Sequence, residues 1–255
     1  MVHKDRFSVI LAMVFFVALL FIGDANAQKL SLIKKHPTAG TEWNSRFGLS
    51  GQNKPAGFYY RMREQVANPN LQRSKTTEQL QLIVSEPTAF GAFGLFRSHL
   101  NDDVYKFILT LYNKDGKIVK EFDLCKITDE YALELQDIRY ENGRFYFNMA
   151  CPTYSEMSGG KCSRLYCLDV RTGSIIWKSD NLISNDIFVL YDNYIISSYG
   201  FTSERDFVYL INKSTGEVEC RMSLDAKAQY IEVKDEKVYV IDVLNNVYVF
   251  QMQLL

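Results

Sequence analysis

The chain has 255 residues, and its 29 Lys and Arg residues nearly balance its 30 Asp and Glu residues, for a net charge of −1. No basic run or stripe stands out, which argues against nucleic acid and anionic membrane surfaces as partners. The three histidines supply little material for histidine-based metal or triad chemistry. The composition therefore favours a globular protein that does not bind polyanions.

The first residues have the features of a secretory signal peptide. Lys4 and Arg6 form a basic start, residues 9–22 are an unbroken apolar run, and the residues Ala-Asn-Ala at 25–27 match a small-x-small cleavage site. This run is shorter than the roughly 20 apolar residues that cross a bilayer, and no later stretch is long and apolar enough to do so. We therefore predict removal of residues 1–27, and a periplasmic or secreted protein that begins at Gln28 and has no transmembrane segment.

From about residue 80 onward the chain consists of short, alternating apolar runs separated by turn residues. These runs are rich in Tyr, Phe, Val and Ile and include RFYFNMA, SRLYCLDV, IFVLY, YIISSYG, FVYLIN and VYVIDV. Strands at such close spacing predict an all-β sandwich, barrel or propeller. Residues 28–78 show no clear repeat, so their strands are not predicted.

Internal repeats decide among these architectures. Three segments align without a gap on Gly116, Gly173 and Gly216, namely FILTLYNKDGKIVKEF, RLYCLDVRTGSIIWKS and FVYLINKSTGEVECRM. A second element, an apolar run followed by a polar turn and another apolar run, recurs as DIRYENGRFYF, FVLYDNYIISS and YIEVKDEKVYV. Each repeat therefore predicts two hairpins, which together make four strands.

The length of the repeat matches a propeller blade. The glycines are 57 and 43 residues apart, and a four-stranded blade takes roughly 40–45 residues. We predict that residues 28–255 form a single β-propeller of about five four-stranded antiparallel blades, with four or six blades as alternatives. The final run NVYVFQM is the expected third strand of an incomplete blade, and KLSLIKK at 29–35 is the expected strand that completes it.

One of the repeats resembles a known family. Residues 169–177 are DVRTGSIIW, the D-x-x-T-G-x-x-x-W run of quinoprotein-like (PQQ-type) propeller repeats, and residues 212–220 are a near copy that ends in cysteine. Residues 112–120 keep only the glycine of this motif. The resemblance covers about residues 100–252 and implies a propeller. Its closest functional analogy is with propeller subunits that scaffold outer-membrane assembly, although a fold does not by itself give a function.

The motif has a structural explanation that needs no ligand. An Asp or Asn side chain caps the turn by accepting backbone N–H groups, and glycine supplies the positive φ of the hairpin. We expect Trp177 to lie on an outer strand and to pack over the neighbouring blade. Lys120 and Cys220 stand at the equivalent positions, which argues against a regular girdle of docking tryptophans.

The cysteines predict a disulfide and no metal site. All five lie in the exported part of the chain, where disulfides persist, and no C-x-x-C pair is present that would indicate zinc or redox chemistry. Cys151 and Cys162 flank the segment CPTYSEMSGGKC between two predicted antiparallel strands, so we predict that they are bridged. The odd number of cysteines leaves at least one free thiol. We predict no bound cofactor and no metal.

Two long loops are the candidate binding site. In a propeller, loops that join the second strand of a blade to the third share a face with the loops that join successive blades, and ligands usually bind at that face. The segments CPTYSEMSGGKC at 151–162 and GFTSERD at 200–206 are such loops. The residues that we expect to make contacts there are Tyr154, Glu156, Met157, Phe201 and Arg205.

The sequence favours binding over catalysis, with an enzyme as the alternative. We predict non-enzymatic binding of a protein or an envelope polymer through the loop face. A carbohydrate-active propeller would need two converging carboxylates, for which Glu156, Glu204 and Asp206 are the candidates. The quinone-cofactor dehydrogenases that share the repeat are larger, have eight blades and carry adjacent cysteines at the cofactor, and no Cys-Cys pair occurs in this chain.

Overall fold

The computed structural model describes residues 28–37, 43–49, 71–98, 105–201 and 203–254. Within these ranges the chain forms four antiparallel sheets of four strands each. This arrangement confirms the all-β propeller that the repeats predict, and the described residues form four blades. The predicted signal peptide lies outside the described residues.

Successive strands are neighbours in each of the first three blades. Blade 1 contains β2 (Gln81–Thr88), β3 (Gly91–Arg97), β4 (Phe107–Asn113) and β5 (Ile118–Asp123). Blade 2 contains β6 (Glu134–Glu141), β7 (Arg144–Ala150), β8 (Arg164–Asp169) and β9 (Ile175–Lys178). Blade 3 contains β10 (Phe188–Tyr191), β11 (Tyr194–Tyr199), β12 (Asp206–Asn212) and β13 (Val218–Leu224).

The fourth blade is completed by the N-terminal strand. It contains β14 (Ala228–Lys234), β15 (Lys237–Asp242) and β16 (Val247–Leu254), with β1 (Gln28–His36) as its outermost strand. β1 pairs antiparallel with β16 from Gln28 opposite Leu254 to His36 opposite Val247. The predicted closure is therefore confirmed, and it covers the edge that β16 would otherwise expose.

Within the ranges given above, short helices lie between strands at three places. They span Trp43–Phe47, Leu124–Thr128 and, as a 3₁₀ turn, Ser155–Ser158. The helix Leu124–Thr128 links blades 1 and 2, and the Asp123 side chain caps its start by accepting the Lys126 N–H at 3.1 Å. In the described ranges no helix is long and apolar enough to cross a membrane.

The core lies between neighbouring blades. β11 is buried along its whole length and β4 along all but its last residue, so both faces of these strands are covered. Three apolar layers fill the junctions between successive blades. Members of these layers are Phe93, Phe145 and Leu168 between blades 1 and 2, Leu165, Cys167 and Ile195 between blades 2 and 3, and Ile196, Ile231 and Phe250 between blades 3 and 4.

The three repeat glycines occupy equivalent turns. Gly116, Gly173 and Gly216 each lie between the third and fourth strands of a blade, with φ of 73°, 77° and 79°. Asp169 Oδ1 accepts the backbone N–H groups two and three residues later, at 2.7 and 3.0 Å, and Asn212 does the same at 3.0 and 3.3 Å. The predicted cap and the predicted positive φ are therefore both confirmed.

The first hairpin is one residue shorter than the other two. Gly116 N donates to the carbonyl three positions earlier, that of Asn113, at 3.0 Å, whereas Gly173 and Gly216 donate to the carbonyl four positions earlier at 2.8 Å. The gapless alignment of the three segments is therefore wrong by one residue on the leading side of this turn. Side-chain alternation along β4 does not reveal the difference, because this strand is buried on both faces.

A repeated hydrogen bond links each blade to the next. Trp177 Nε1 donates to Lys213 O at 3.1 Å, and Lys120 Nζ donates to Val170 O at 3.2 Å. Both donors lie four residues after a hairpin glycine, and both acceptors lie three residues before the hairpin glycine of the following blade. The residue at the same position in blade 3, Cys220, donates its thiol to a carbonyl in β1 at 3.7 Å. Lysine and cysteine thus take over the docking role of the tryptophan.

This junction predicts unequal costs for two glycine substitutions. Gly216 packs directly under the Trp177 ring, so a Cβ there would collide with the indole, whereas a Cβ at Gly116 would meet nothing within 4 Å. Both positions have positive φ, which costs an alanine roughly 1–2 kcal/mol. We expect Gly216→Ala to lower the free energy of unfolding by about 1–3 kcal/mol more than Gly116→Ala, because of overpacking. Urea unfolding of both variants measures this difference. Equal losses of unfolding free energy would contradict the packing of Trp177 on Gly216.

Candidate functional site

The predicted loops lie on one face, at the connections between the second and third strands of their blades. Residues 151–163 join β7 to β8, and residues 200–205 join β11 to β12. The corresponding connection in blade 4, residues 243–246 between β15 and β16, is a tight turn. The fold can therefore make this connection with four residues, so the length of the two loops is not needed to join their strands.

The longer loop is closed by a disulfide at its base. Cys151 and Cys162 are bridged, with their Cα atoms 5.5 Å apart, as the sequence predicts. Both half-cystines are buried. Gly159 and Gly160 turn the chain back after the 3₁₀ turn with φ of 60° and 74°, values that glycine adopts at little cost. The disulfide therefore constrains the base of the loop, and the two glycines turn the chain at its tip.

Three of the predicted contact residues project from this loop. The side chains of Tyr154 and Met157 are 43% and 83% exposed, and Glu156 is exposed between them. The Thr153 hydroxyl donates to Met157 Sδ at 3.1 Å, and Met157 N donates to Tyr154 O at 3.3 Å. The tip of the loop thus presents an aromatic and a flexible apolar side chain from a bonded turn.

Glu204 joins the two loops, a role that the sequence did not reveal. Its Oε1 accepts the backbone N–H of Ser155 at 2.8 Å and the Ser155 hydroxyl at 3.0 Å, and its Oε2 accepts the Tyr199 hydroxyl. Burial, together with the neighbouring Glu204 carboxylate, raises the pKa of Tyr199. In the sequence Glu204 is only one of several acids on this face.

Phe201 brings aromatic and basic side chains together at the centre of the site. Its ring centroid lies 5.6 Å from that of Tyr154 and 5.9 Å from that of Tyr199. Lys227 Nζ lies 5.2 Å from the Phe201 centroid, and the same ammonium group is paired with Asp186. The structure therefore places two of the predicted residues, Tyr154 and Phe201, in contact across blades 2 and 3.

Arg205 lies at the margin, beside a cleft of about 470 Å³. The cleft is formed by the end of loop 200–205 and the outer strands of blade 3, and Arg221 covers the Phe207 ring there at 4.6 Å. The residues that line it are Glu204, Arg205, Asp206, Phe207, Arg221, Ser223, Leu224 and Asp225. The cleft adjoins the contact between the two loops through Glu204.

A carboxyl group with a raised pKa lies beneath the loops. Burial raises the pKa of Asp206 to about 6 from its ordinary value of 3.8; Lys227 opposes the rise, and Asp242 and Glu204 add to it. Asp206 Oδ1 lies against the Cα of Gly200, where no larger residue would fit, and has no hydrogen-bond partner within the described part of the chain. Ionisation of Asp206 therefore places charge where it is poorly solvated.

The remaining cysteines and acids do not add a metal site in the described ranges. Cys125, Cys167 and Cys220 are free thiols, and burial raises the pKa of the Cys125 and Cys167 thiols to about 11. Within the residues that the structure describes, no three His, Cys, Asp or Glu side chains are grouped so that they could hold a metal ion.

The stacked four-stranded sheets and the closure by β1 define the class of this chain as a β-propeller. No protein-family model matches its sequence, and no curated protein is similar to it in sequence.

Several solved propellers are similar in structure. The WD40 propeller domain of Doa1 matches with a TM-score of 0.44 and 12% identity, over 67% of this chain and 63% of that one. The propeller domain of the Trilobed protease from Pyrococcus furiosus matches with a TM-score of 0.46 and 10% identity, over 70% and 58%. BamB from Moraxella catarrhalis matches with a TM-score of 0.30 and 11% identity, over 69% and 70%. The chain thus spans less than two thirds of the first two domains, and likeness at this identity concerns the fold alone.

Removing the disulfide should lower stability without abolishing the fold. In Cys151→Ser/Cys162→Ser we expect the free energy of unfolding to fall by on the order of 3 kcal/mol, because a closed loop of this length restricts the unfolded chain. Urea unfolding under non-reducing conditions measures the loss. Cys220→Ser removes an unbridged thiol but keeps a donor for the Leu30 carbonyl, so it is the control and should lose much less. Peptide mapping under non-reducing conditions that finds Cys151 and Cys162 both free would contradict the bridge.

The raised pKa of Asp206 predicts how stability depends on pH. Because the folded protein favours the protonated carboxyl, its contribution to stability is present below about pH 4 and is lost as pH rises through about 6. We expect Asp206→Asn to match the wild type near pH 4 and to become the more stable protein by pH 7. Urea unfolding across this range measures the divergence.

Asp225→Asn is the matched control for this experiment. The hydrogen bond from Lys35 lowers the pKa of Asp225, so its contribution is lost only as pH falls below its ordinary value of 3.8. The difference in the free energy of unfolding between this variant and the wild type should therefore stay constant between about pH 4.5 and 7. A constant difference for Asp206→Asn over that range would show that its carboxyl does not have a raised pKa.

Proposed function

We propose that this chain is an exported, non-enzymatic β-propeller that binds a protein of the cell envelope through the face that carries the two long loops. The observation that carries this proposal is the bonding of the two loops to each other. Ser155 and Glu204 join them, and Tyr154 and Phe201 meet above that joint. Two loops that only connected strands would not need this bond, which fixes a shared surface.

The composition of this surface suits a protein partner. Tyrosine is among the residues enriched at binding hot spots, and the adaptable thioether of Met157 packs against varied apolar shapes. Isolated exposed apolar residues are common on proteins, whereas grouped ones indicate an interaction site. The disulfide and the contacts of Glu204 order the loops before binding, which lowers the entropy cost of association.

The proposed compartment agrees with the disulfide. Bridged cysteines persist in the periplasm or outside the cell, and the basic start and apolar run of residues 1–27 suit export. The PQQ-type repeat at residues 169–177 supports the comparison with scaffold propellers of the envelope, and an envelope polymer is the second ligand class that the same exposed aromatic residues could bind.

The acids on this face are better explained by architecture than by catalysis. Both carboxylate oxygens of Glu204 accept hydrogen bonds that hold the loops together, and Glu156 is exposed at the tip of the loop. Asp206 is pressed against Gly200 with Oδ1 buried. A carbohydrate-active propeller would require two of these groups to converge on one bond, and the roles of Glu204 and Asp206 in packing favour binding.

Shortening the longer loop tests this function. We replace residues 152–161 with a four-residue turn patterned on residues 243–246 and compare the proteins captured from the native envelope after chemical crosslinking. The fold should survive, since blade 4 makes the same connection with such a turn. We expect the variant to lose a partner that the wild type captures, and the purified partner to bind it at least about tenfold more weakly.

Two further variants make this result specific. The loop with Cys151→Ser/Cys162→Ser keeps every tip residue and should keep most of the binding. A variant altered at Lys114 and Asp115, in the hairpin on the opposite face, should bind normally. Normal binding by the shortened loop, or equal loss in the Lys114/Asp115 variant, would contradict the assignment of the function to the loop face.

A further inference from the structure

The tight turn of blade 4 also presents apolar side chains on the loop face. Val243 and Leu244 are 51% and 56% exposed. Asp242 holds the turn rigid, because its Oδ1 accepts the N–H groups of Leu244 and Asn246 at 2.9 Å each and its Oδ2 accepts the Asn246 amide at 2.7 Å. A turn this well bonded does not need two exposed aliphatic residues for its own stability.

A chain of contacts connects this turn to the two long loops. Val243 N donates to Lys227 O at 2.9 Å, and Lys227 Nζ lies 5.2 Å from the centroid of the Phe201 ring. Phe201 in turn contacts Tyr154 with a centroid separation of 5.6 Å. We call the resulting surface, which crosses blades 2, 3 and 4, the apolar strip. It consists of Met157, Tyr154, Phe201, Val243 and Leu244.

The charged groups beside the apolar strip are already engaged in contacts within the protein. Lys227, which lies between Phe201 and the blade 4 turn, is paired with Asp186. Glu204, beneath Tyr154 and Phe201, accepts hydrogen bonds from Ser155 and Tyr199. Two charged side chains stay exposed and have opposite signs, namely Glu156, between Tyr154 and Met157, and Arg205, beside the cleft. Because these two charges balance, the strip favours an uncharged ligand over a charged one.

We propose that the apolar strip binds one continuous, uncharged apolar segment of the partner protein, which lies across blades 2, 3 and 4. This inference rests on the function proposed above and adds to it the extent of the surface and the chemistry of the partner. Three separate restraints support the strip, namely the disulfide of blade 2, the Glu204 contacts of blade 3 and the Asp242 turn of blade 4. The surface is therefore ordered before binding.

Site-specific photocrosslinking in the native envelope tests the extent of the strip. A benzophenone amino acid replaces Met157 or Leu244, at its two ends, and in the control it replaces Val218, an apolar residue of an outer strand that is 38% exposed. We expect the two strip positions to crosslink to a single partner polypeptide, within one segment on the order of 10–15 residues long, and the Val218 position not to.

The possible outcomes separate the two proposals. Crosslinks from Met157 without any from Leu244 would overturn the three-blade strip and leave the binding function standing. Crosslinks from the two ends to different proteins, to a second copy of this chain or to lipid would also overturn the single apolar segment. No crosslink from either end would overturn the proposed function together with the strip.

Binding measurements with the crosslinked partner test its chemistry. We expect Leu244→Asp to weaken binding at least tenfold, because it places a charge in the apolar strip, and Val218→Asp to leave binding within about twofold of the wild type. Raising NaCl from about 50 mM to about 500 mM should change the wild-type affinity less than threefold, since apolar contacts are not screened. A loss of tenfold or more with salt would overturn the uncharged segment in favour of a charged one.

Discussion

Each sheet of this protein has apolar side chains on both of its faces, and the need to cover both faces governs the rest of the structure. β4 and β11 are buried on both sides, which a sheet with one face in water could not achieve. Stacking four-stranded sheets as blades meets this need, and pairing β1 with β16 covers an edge. The hydrogen bonds donated by Lys120, Trp177 and Cys220 then hold each blade against the next.

Because of this packing, the connections between strands can vary in length more on one face of the propeller than on the other. The hairpins that contain Gly173 and Gly216 receive side chains from the preceding blade, so their length and conformation are constrained by docking. The connections on the opposite face do not receive the equivalent of Trp177 or Lys120, and they vary from a tight turn at residues 243–246 to the bridged loop at residues 151–163. Added length can therefore appear there without cost to the core. The disulfide and the Glu204 contacts order the longer loops, so that they present a defined surface.

The sequence predicted much of the fold because the relevant signals are local. Alternating apolar residues, capped turns and glycines at fixed offsets identified the strands, the repeat and the closing strand. The same patterns missed the one-residue difference at Gly116, because β4 is buried on both faces and has no polar alternation that a shift would reverse. They missed the docking role of Lys120, because its hydrogen bond reaches a carbonyl 50 positions away in the next blade. They also missed Val243 and Leu244, which follow an apolar strand and resemble its continuation. In the candidate site the bridge between Cys151 and Cys162 was predictable because its two ends lie on adjacent strands.

Repeat length, strand alternation, the turn glycines and the bridged cysteines were thus determined by the sequence alone, since each depends on residues close together in the chain or in one hairpin. Only the tertiary structure decided which loops meet. Ser155 and Glu204 lie 49 positions apart, and Lys35 and Asp225 lie 190 positions apart. Whether such pairs touch depends on the angle and spacing between blades, which arise from packing across whole sheets. No periodic pattern in the sequence marks the residues that make these contacts.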